Sequence, residues 1–342
     1  MIKKIFTVFV CLLSYFFSVG QDYSLSQPFE SAVMLNPANA GLTYPLRTQL
    51  NYRQQWRSII NKPFTTVIAS ADAKIFSQGK TGSSLGLGIV IANDQAGTGK
   101  LNTLNANLAL MGKVMLSEIQ TLSAGIIGGV MQRKVNLDAL TWGNQFNGLE
   151  YDATISSGES FSTERTLSPD IGAGMQWSYG KGASTLSSND ALGAQVGFAA
   201  YHINSPKAGF QGDVDGRYIR LLFHGSFSYS LKNTPFQINP NFLLQMQGPS
   251  RMYFVGAYWK YRLQESSKYT GYLSYRSLNL ATFYRVGDAF ITGLQLEWDD
   301  FAFGISYDIN LSSLTKASKG RGATEISLRY IPVKLQKSRS LI

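Results

Sequence analysis

The stretch Phe301-Ala302-Phe303-Gly304-Ile305-Ser306-Tyr307-Asp308-Ile309-Asn310-Leu311 alternates without a fault. Its odd positions are large and apolar; its even positions are Ala, Gly, Ser, Asp and Asn. In an extended strand, residues two apart share a face, so one face here is apolar and the other polar or tiny. A soluble sheet can alternate in the same way, and recurrence along the chain decides between the two. Leu85, Leu87, Ile89 and Ile91 alternate with Ser84, Gly86 and Gly88, and Leu104, Ala106, Leu108 and Leu110 with Thr103, Asn105 and Asn107. Ile171, Ala173, Met175, Trp177 and Tyr179 alternate with Gly172, Gly174, Gln176 and Ser178. In 46–57 the polar set is Arg47, Gln49, Asn51, Arg53, Gln55 and Arg57, opposite Leu46, Leu50, Tyr52 and Trp56. The second face never becomes a Leu/Val layer, so it cannot form a dry sandwich core; it suits a wet or side-chain-filled lumen.

Composition agrees. The 342 residues are 44% apolar and 13% aromatic but only 15% charged, against about 25% charged in an ordinary soluble domain. A mean hydropathy of -0.06 and the absence of apolar runs of about 20 residues beyond the N-terminus exclude a polytopic helical membrane protein. Twenty Phe, 18 Tyr and 5 Trp exclude a disordered chain. Aromatics gather near segment ends, as at Tyr52 and Trp56, Trp177 and Tyr179, Trp259 and Tyr261, Trp298 and Tyr330, where amphipathic rings favour lipid headgroups. The expected fold is all-β, a closed antiparallel transmembrane β-barrel, because lipid leaves no partner for an open sheet edge.

Fourteen segments carry the pattern, near 46–57, 64–76, 83–92, 101–116, 119–135, 168–180, 190–204, 216–232, 235–247, 251–263, 268–285, 288–298, 300–311 and 322–331. Segment 268–285 is interrupted by Ser277-Leu278-Asn279, and dividing it changes the count by about two. An even count puts both barrel ends in the periplasm, with short inner turns at Ser117-Glu118 and Asp299-Asp300. The connections 93–100, 136–167 and 205–215 then lie outside. Residues 1–20 read as a cleaved export signal, with Lys3 and Lys4 before an apolar stretch at 5–17 and small residues at Ser18 and Gly20. Residues 21–45 form an N-terminal segment with little alternation, 46–331 the barrel, and 332–342 a periplasmic tail. Two readings of 21–45 stand side by side: a periplasmic tail, or a plug tucked into the lumen. Arg47, Arg53, Gln55 and Asp308 are the polar residues expected to line that lumen.

Catalytic resources are thin. The one cysteine, Cys11, lies within the signal, and the chain has two histidines, so neither a disulfide framework nor thiol chemistry is expected, and no cofactor or metal site. Gly97-Thr98-Gly99-Lys100 lacks the upstream Gly and following Ser/Thr of a phosphate loop and reads as a loop tip. Gly86 and Gly88 read as places of close backbone or plug approach. His224 and Ser226 share a strand face, an arrangement in which His can activate Ser. His224 is expected to face inward, with no carboxylate or amide to orient it. Asp213 and Asp215 make a poor calcium site by themselves. Lys and Arg are scattered singly, and the formal charge of +10 falls to +8 once Lys3 and Lys4 leave; no nucleic-acid partner is expected.

Several short motifs occur in a specific order: Gln21-Asp22 with Ser26-Gln27-Pro28; Leu35-Asn36-Pro37-Ala38-Asn39-Ala40-Gly41; Tyr52-Arg53-Gln54-Gln55-Trp56; Asn93-Asp94 with Gly97; His202 with Pro206; Gly304 to Leu314; and Glu325 to Tyr330. The ordered set covers most of the chain and resembles the PorP/SprF family, outer-membrane barrels of the type IX secretion and gliding systems of Bacteroidetes. Asn39 departs from the pattern, which has an aromatic or small residue there. The resemblance implies a protein without enzymatic activity that works with the type IX translocon in the outer membrane, among outer-membrane lipids. Its implied task is to anchor or help export a large surface adhesin through the adhesin's C-terminal domain. Asn36-Pro37-Ala38 ahead of such a barrel is also similar to the FadL group, whose N-terminal segment plugs the lumen. That likeness implies the alternative of a porin or FadL-like transport channel.

Overall fold

In the computed structural model, which describes residues 22–78, 82–159, 163–181, 191–210, 216–264 and 275–332, fourteen strands follow one another around a closed barrel. They are β1 (Leu46–Gln55), β2 (Phe64–Ser77), β3 (Ser84–Ala96), β4 (Leu101–Ser117), β5 (Gln120–Lys134), β6 (Arg165–Lys181) and β7 (Leu192–Tyr201). The second half is β8 (Arg220–Ser230), β9 (Phe236–Gln247), β10 (Ser250–Gln264), β11 (Arg276–Arg285), β12 (Ala289–Trp298), β13 (Phe301–Asn310) and β14 (Arg321–Tyr330). Every pairing is antiparallel, and β14 closes on β1 with Asn51 opposite Ser327. Both barrel termini therefore lie at one end, the periplasmic one in bacterial barrels. The long connection 135–164 stands at the other, outer end.

The boundaries differ from expectation in instructive places. Asn93 and Asp94 lie on β3, not in a loop, because they pair with Leu104 and Thr103 of β4. β7 ends at Tyr201, because His202 takes a left-handed backbone (φ 58°) that a strand cannot continue. β11 is undivided: Ser277 and Asn279 are buried on the lumen side while Leu278 and Leu280 are exposed. The apparent interruption is the ordinary inward face of a strand. Residues 268–274, the signal 1–20, Asp213 with Asp215, and 333–342 of the tail lie outside the described residues.

Parity sorts the side chains. On β13 Phe301, Phe303, Ile305, Tyr307 and Ile309 are exposed to the surroundings of the barrel, and Ala302, Ser306, Asp308 and Asn310 are buried inside it. The packed interior is thus the lumen, and residues 22–45 run through it. Asp22 sits at the outer end, its backbone N–H donating to Gln247 Oε1 at 3.0 Å. Pro45 reaches the inner end, where its carbonyl accepts from Lys74 N–H at 3.0 Å. Between them lie two 3₁₀ turns, Pro28–Glu30 and Pro37–Asn39, and the one-turn helix α1 (Ala32–Leu35). Each 3₁₀ turn starts on a proline, whose fixed φ and missing N–H suit a first helical position. Val33, Leu35 and Ala40 are buried in one apolar cluster with Ile68, Val90 and Met111 of the wall, and Ala38 is fully buried as well. The Phe29 ring lies 6.1 and 6.0 Å from those of Phe254 and Phe283.

Candidate functional site

The interface between this lumenal segment and the wall holds a cluster of buried charge. Arg53 and Arg47 share the inward parity of β1. Arg53, fully buried, donates Nε to Ser26 Oγ at 3.0 Å and Nη1 to the Ser24 carbonyl at 2.7 Å. Its Nη2 donates to Asp308 at 3.0 Å. Asp308 also takes Arg285 Nη2 at 2.7 Å. Glu325, 3.7 Å from Arg53, accepts the Ser26 backbone N–H at 2.6 Å and Asn51 Nδ2 at 3.2 Å. One guanidinium therefore ties the segment to β1, β13 and β14, with its fork and both carboxylates supplied with charge-assisted partners.

Lower in the lumen, Glu30 of the segment pairs with Arg329 at 2.9 Å, and Arg329 with Glu297 at 2.7 Å. Arg47 pairs with Asp72 at 2.8 Å, and Asp72 accepts the Gly41 N–H at 2.9 Å. Gln55 is half-buried at the outer end of β1 and makes no side-chain hydrogen bond among the described residues.

The Leu35 to Gly41 stretch seats on a groove of small residues. Asn36 Nδ2 donates to the Met175 carbonyl at 3.0 Å and lies 3.1 Å from His224 Nε2. Its Oδ1 accepts the Ala38 N–H at 2.9 Å, capping the following turn. A Cβ on Gly174 would fall 2.2 Å from Asn36 Oδ1, one on Gly125 2.6 Å from the Pro37 backbone, and one on Gly86 1.9 Å from the Ala40 carbonyl. Glycine at these positions is what lets a second backbone lie against the wall. Gly41 itself needs glycine for its φ of 64°.

At the outer end, Asp22 is ion-paired with Arg217, with Arg220 Nη1 at 3.2 Å and with His202 Nε2 at 2.7 Å. His202 Nδ1 lies 2.9 Å from Asp170. Pro206 contributes through its backbone, its carbonyl taking the Arg217 N–H at 2.9 Å, so the turn that begins at His202 also ties down the backbone of Arg217. Burial by itself would raise the Asp22 pKa, but Arg217, Arg220 and His202 outweigh it and hold the carboxyl well below 3.8. Burial would lower His202, but the Asp22 charge and the hydrogen bonds to Asp170 and Asp22 outweigh it and raise its pKa above 6.5.

The linkage signs follow. A depressed carboxyl contributes stability above its unfolded value of about 4 and loses it as pH falls through the folded pKa. A raised imidazole contributes fully below about 6.5 and loses its part as pH rises through the folded pKa. Hydrogen exchange of the amides at 22–27 is therefore slowest, relative to intrinsic rates, between about pH 4 and 6.5. It speeds up on either side. His202→Gln removes the alkaline change and keeps the acid one; an unchanged alkaline limb in that variant contradicts the assignment.

His224 and Ser226 do not assemble into a catalytic pair. The imidazole, contrary to expectation, does meet an orienting amide, that of Asn36, and no His224–Ser226 hydrogen bond is present among the described residues. Gly97 and Lys100, both at positive φ, turn the chain between β3 and β4. Arg285 and Glu297 carry no motif in the sequence, and Glu325 and Arg329 stand out there only as part of the closing motif, although each of the four has an inward parity position on its strand. Asp170, Arg217 and Arg220 had no such signal toward Asp22, because their meeting depends on where the segment ends.

An apolar outer wall, an inward polar face and full closure define an outer-membrane β-barrel. Within that class the chain belongs to the family described as Type IX secretion system membrane protein PorP/SprF, which matches residues 18–330. Similar solved barrels include the Ralstonia pickettii toluene transporter TbuX, at 10% identity and TM-score 0.47, covering 88% of this chain and 93% of that one. A Pseudomonas aeruginosa FadL homologue matches at 11% identity and TM-score 0.42, covering 88% and 94%. No curated protein sequence matches the chain.

Proposed function

We propose that this outer-membrane barrel is a non-enzymatic, non-conducting partner of the type IX translocon. It binds the C-terminal domain of a secreted adhesin-like protein and anchors it at the cell surface or assists its export. The observation that carries the reading is the occupied lumen. Of the cavities between segment and wall, one beside Leu222, Leu243 and Met252 and one beside Asp170 and His202 measure about 30 Å³ each. Such spaces admit one or two waters, not a solute. With residues 22–45 running through its interior, the barrel offers a macromolecule its outer rim, and membership of a type IX secretion family supports a protein cargo there.

On that rim, the connection 135–164 carries a hairpin bridged at Phe146 and Tyr151. Leu149 at its tip is 93% exposed and Phe146 58%, an apolar anchor of the kind that dominates binding energy. The double variant Phe146→Ala with Leu149→Ala lowers retention of the cargo at the surface about tenfold, the equivalent of about 1.4 kcal/mol. Unchanged retention removes this hairpin from the contact.

The decisive experiment is capture of the tagged protein from native outer membranes in mild detergent. The expected result is a large exported protein with its C-terminal domain intact, together with translocon subunits. A barrel that stays alone after crosslinking overturns the anchoring role. Conductance or solute uptake by the purified wild-type protein then supports the transport-channel alternative.

A further inference from the structure

A lipid-facing crevice lies over the seam where the barrel closes, at its outer end. Tyr52 and Gln54 of β1, Tyr307 of β13, and Thr324 and Ile326 of β14 line a space of about 620 Å³, with Arg57 and Arg321 at its edge. These strand residues face away from the lumen. Tyr52 stands opposite Ile326 and Gln54 opposite Thr324, and Tyr52, Tyr307 and Ile326 are 39%, 40% and 51% exposed.

Arg321 reaches this face through an irregularity. Ala323, Glu325 and Ser327 point into the lumen, and simple alternation would send Arg321 there too. Pairing with β13 steps from Tyr307–Thr324 to Ile309–Arg321, so β14 carries one extra residue. Such a bulge reverses the parity beyond it. Arg321 consequently sits beside outward-facing Ile309, exposed.

The charge here is uncompensated. The flanking connections 56–63 and 311–320 contain Arg57, Lys62, Lys316 and Lys319 and no Asp or Glu. Among the described residues, none of these side chains, nor that of Arg321, has an ion pair or hydrogen bond. The 135–164 connection is the reverse, with five acidic residues and no Lys or Arg. Single-sign charge set directly above a lipid-facing apolar wall fits an amphiphile with an anionic head. Guanidinium groups match phosphate oxygens in bidentate fashion, tyrosines favour the headgroup zone, and the wall below accepts acyl chains.

We propose that this crevice binds a phosphorylated glycolipid of the outer leaflet, of the lipid A type. Arg57 and Arg321 hold its phosphate, and its chains lie along β13, β14 and β1. The inference is independent of the cargo-anchoring reading, since it concerns the membrane-embedded wall rather than the rim hairpin.

The test is native mass spectrometry of the full-length protein in detergent, with diphosphoryl lipid A, fully dephosphorylated lipid A or inorganic phosphate added. The wild-type protein retains diphosphoryl lipid A, and millimolar inorganic phosphate does not displace it. Arg57→Gln with Arg321→Gln, or removal of the lipid's phosphates, lowers the retained fraction about tenfold or more. Arg251→Gln, an outward-facing control at the start of β10, leaves it unchanged. The heat-dependent mobility of the unboiled barrel on a gel verifies that each variant is folded. Equal retention by the double variant, indifference to dephosphorylation, or displacement by inorganic phosphate each overturns the assignment; the last makes the site one for free anions.

Discussion

Arg53→Met releases the lumenal segment and turns a closed barrel into a conducting one. The substitution keeps an apolar stem of similar length but strips Asp308 and Glu325 of the guanidinium between them and removes two bonds to the segment, at Ser24 and Ser26. Removing one member of a buried, satisfied ion cluster costs about 3–5 kcal/mol, most of it the penalty of the charges left behind. That cost falls on the seated state more than on the released one, because a vacated lumen admits water to both carboxylates. At about 1.4 kcal/mol per decade, the population without its segment rises by two to three powers of ten. In planar bilayers the wild-type protein is silent and the variant gives stable steps, while a protease newly cuts within 22–45. Arg53→Lys gives an intermediate result, since one ammonium cannot serve Ser24, Ser26 and Asp308 in the same fork geometry. Silent Arg53→Met channels with an intact segment place the holding energy elsewhere, in the apolar contacts of Val33 and Phe29.

The second large effect comes from the groove. Gly125→Leu drives a side chain into the Pro37 backbone, where even the first added carbon lies 2.6 Å from the carbonyl carbon. Overpacking a well-filled interior costs about 1–3 kcal/mol and more where backbone must move. Here the obstacle is backbone on both sides, of β5 and of a turn started by proline. The segment lifts away from 36 to 41, and hydrogen exchange there accelerates at least tenfold. Gly112→Leu is the control: its Cβ meets only Leu85 Cδ2 at 3.9 Å, on the exposed face of β4. Equal exchange in the two variants shows that the groove is not what seats the segment.

Much of the architecture was legible because membrane strands encode their environment locally. Alternation at 301–311 needs no partner to be read: lipid on one side and a polar interior on the other impose a period of two whatever the neighbouring strand is. The same parity placed Arg47, Arg53 and Asp308 inward, and the even strand count put both barrel ends together. Where reading failed, it mistook one face for a break. Ser277-Leu278-Asn279 looks like an interruption because two polar residues flank a single apolar one, although the polar pair occupies consecutive inward positions. Arg321 shows the converse, since a single bulge, invisible in composition, moves it to the outside.

The lumenal segment marks the boundary between the two kinds of knowledge. Its motif residues Asn36, Pro37, Ala38 and Gly41 stood out in the sequence, yet nothing local distinguishes a tail from a segment threaded through the barrel. The answer depends on contacts with residues far along the chain: Ser26 with Glu325, Asn36 with Met175 and His224, and Asp22 with His202 and Arg217. The sequence by itself determined the fold class, most of the strands with their inward and outward faces, and the resemblance to the family. The tertiary structure alone decided that residues 22–45 fill the lumen, and which charges meet there. Alternation is a property of each strand in its solvent, whereas an ion pair across the lumen exists only after the barrel has closed and brought distant strands within reach.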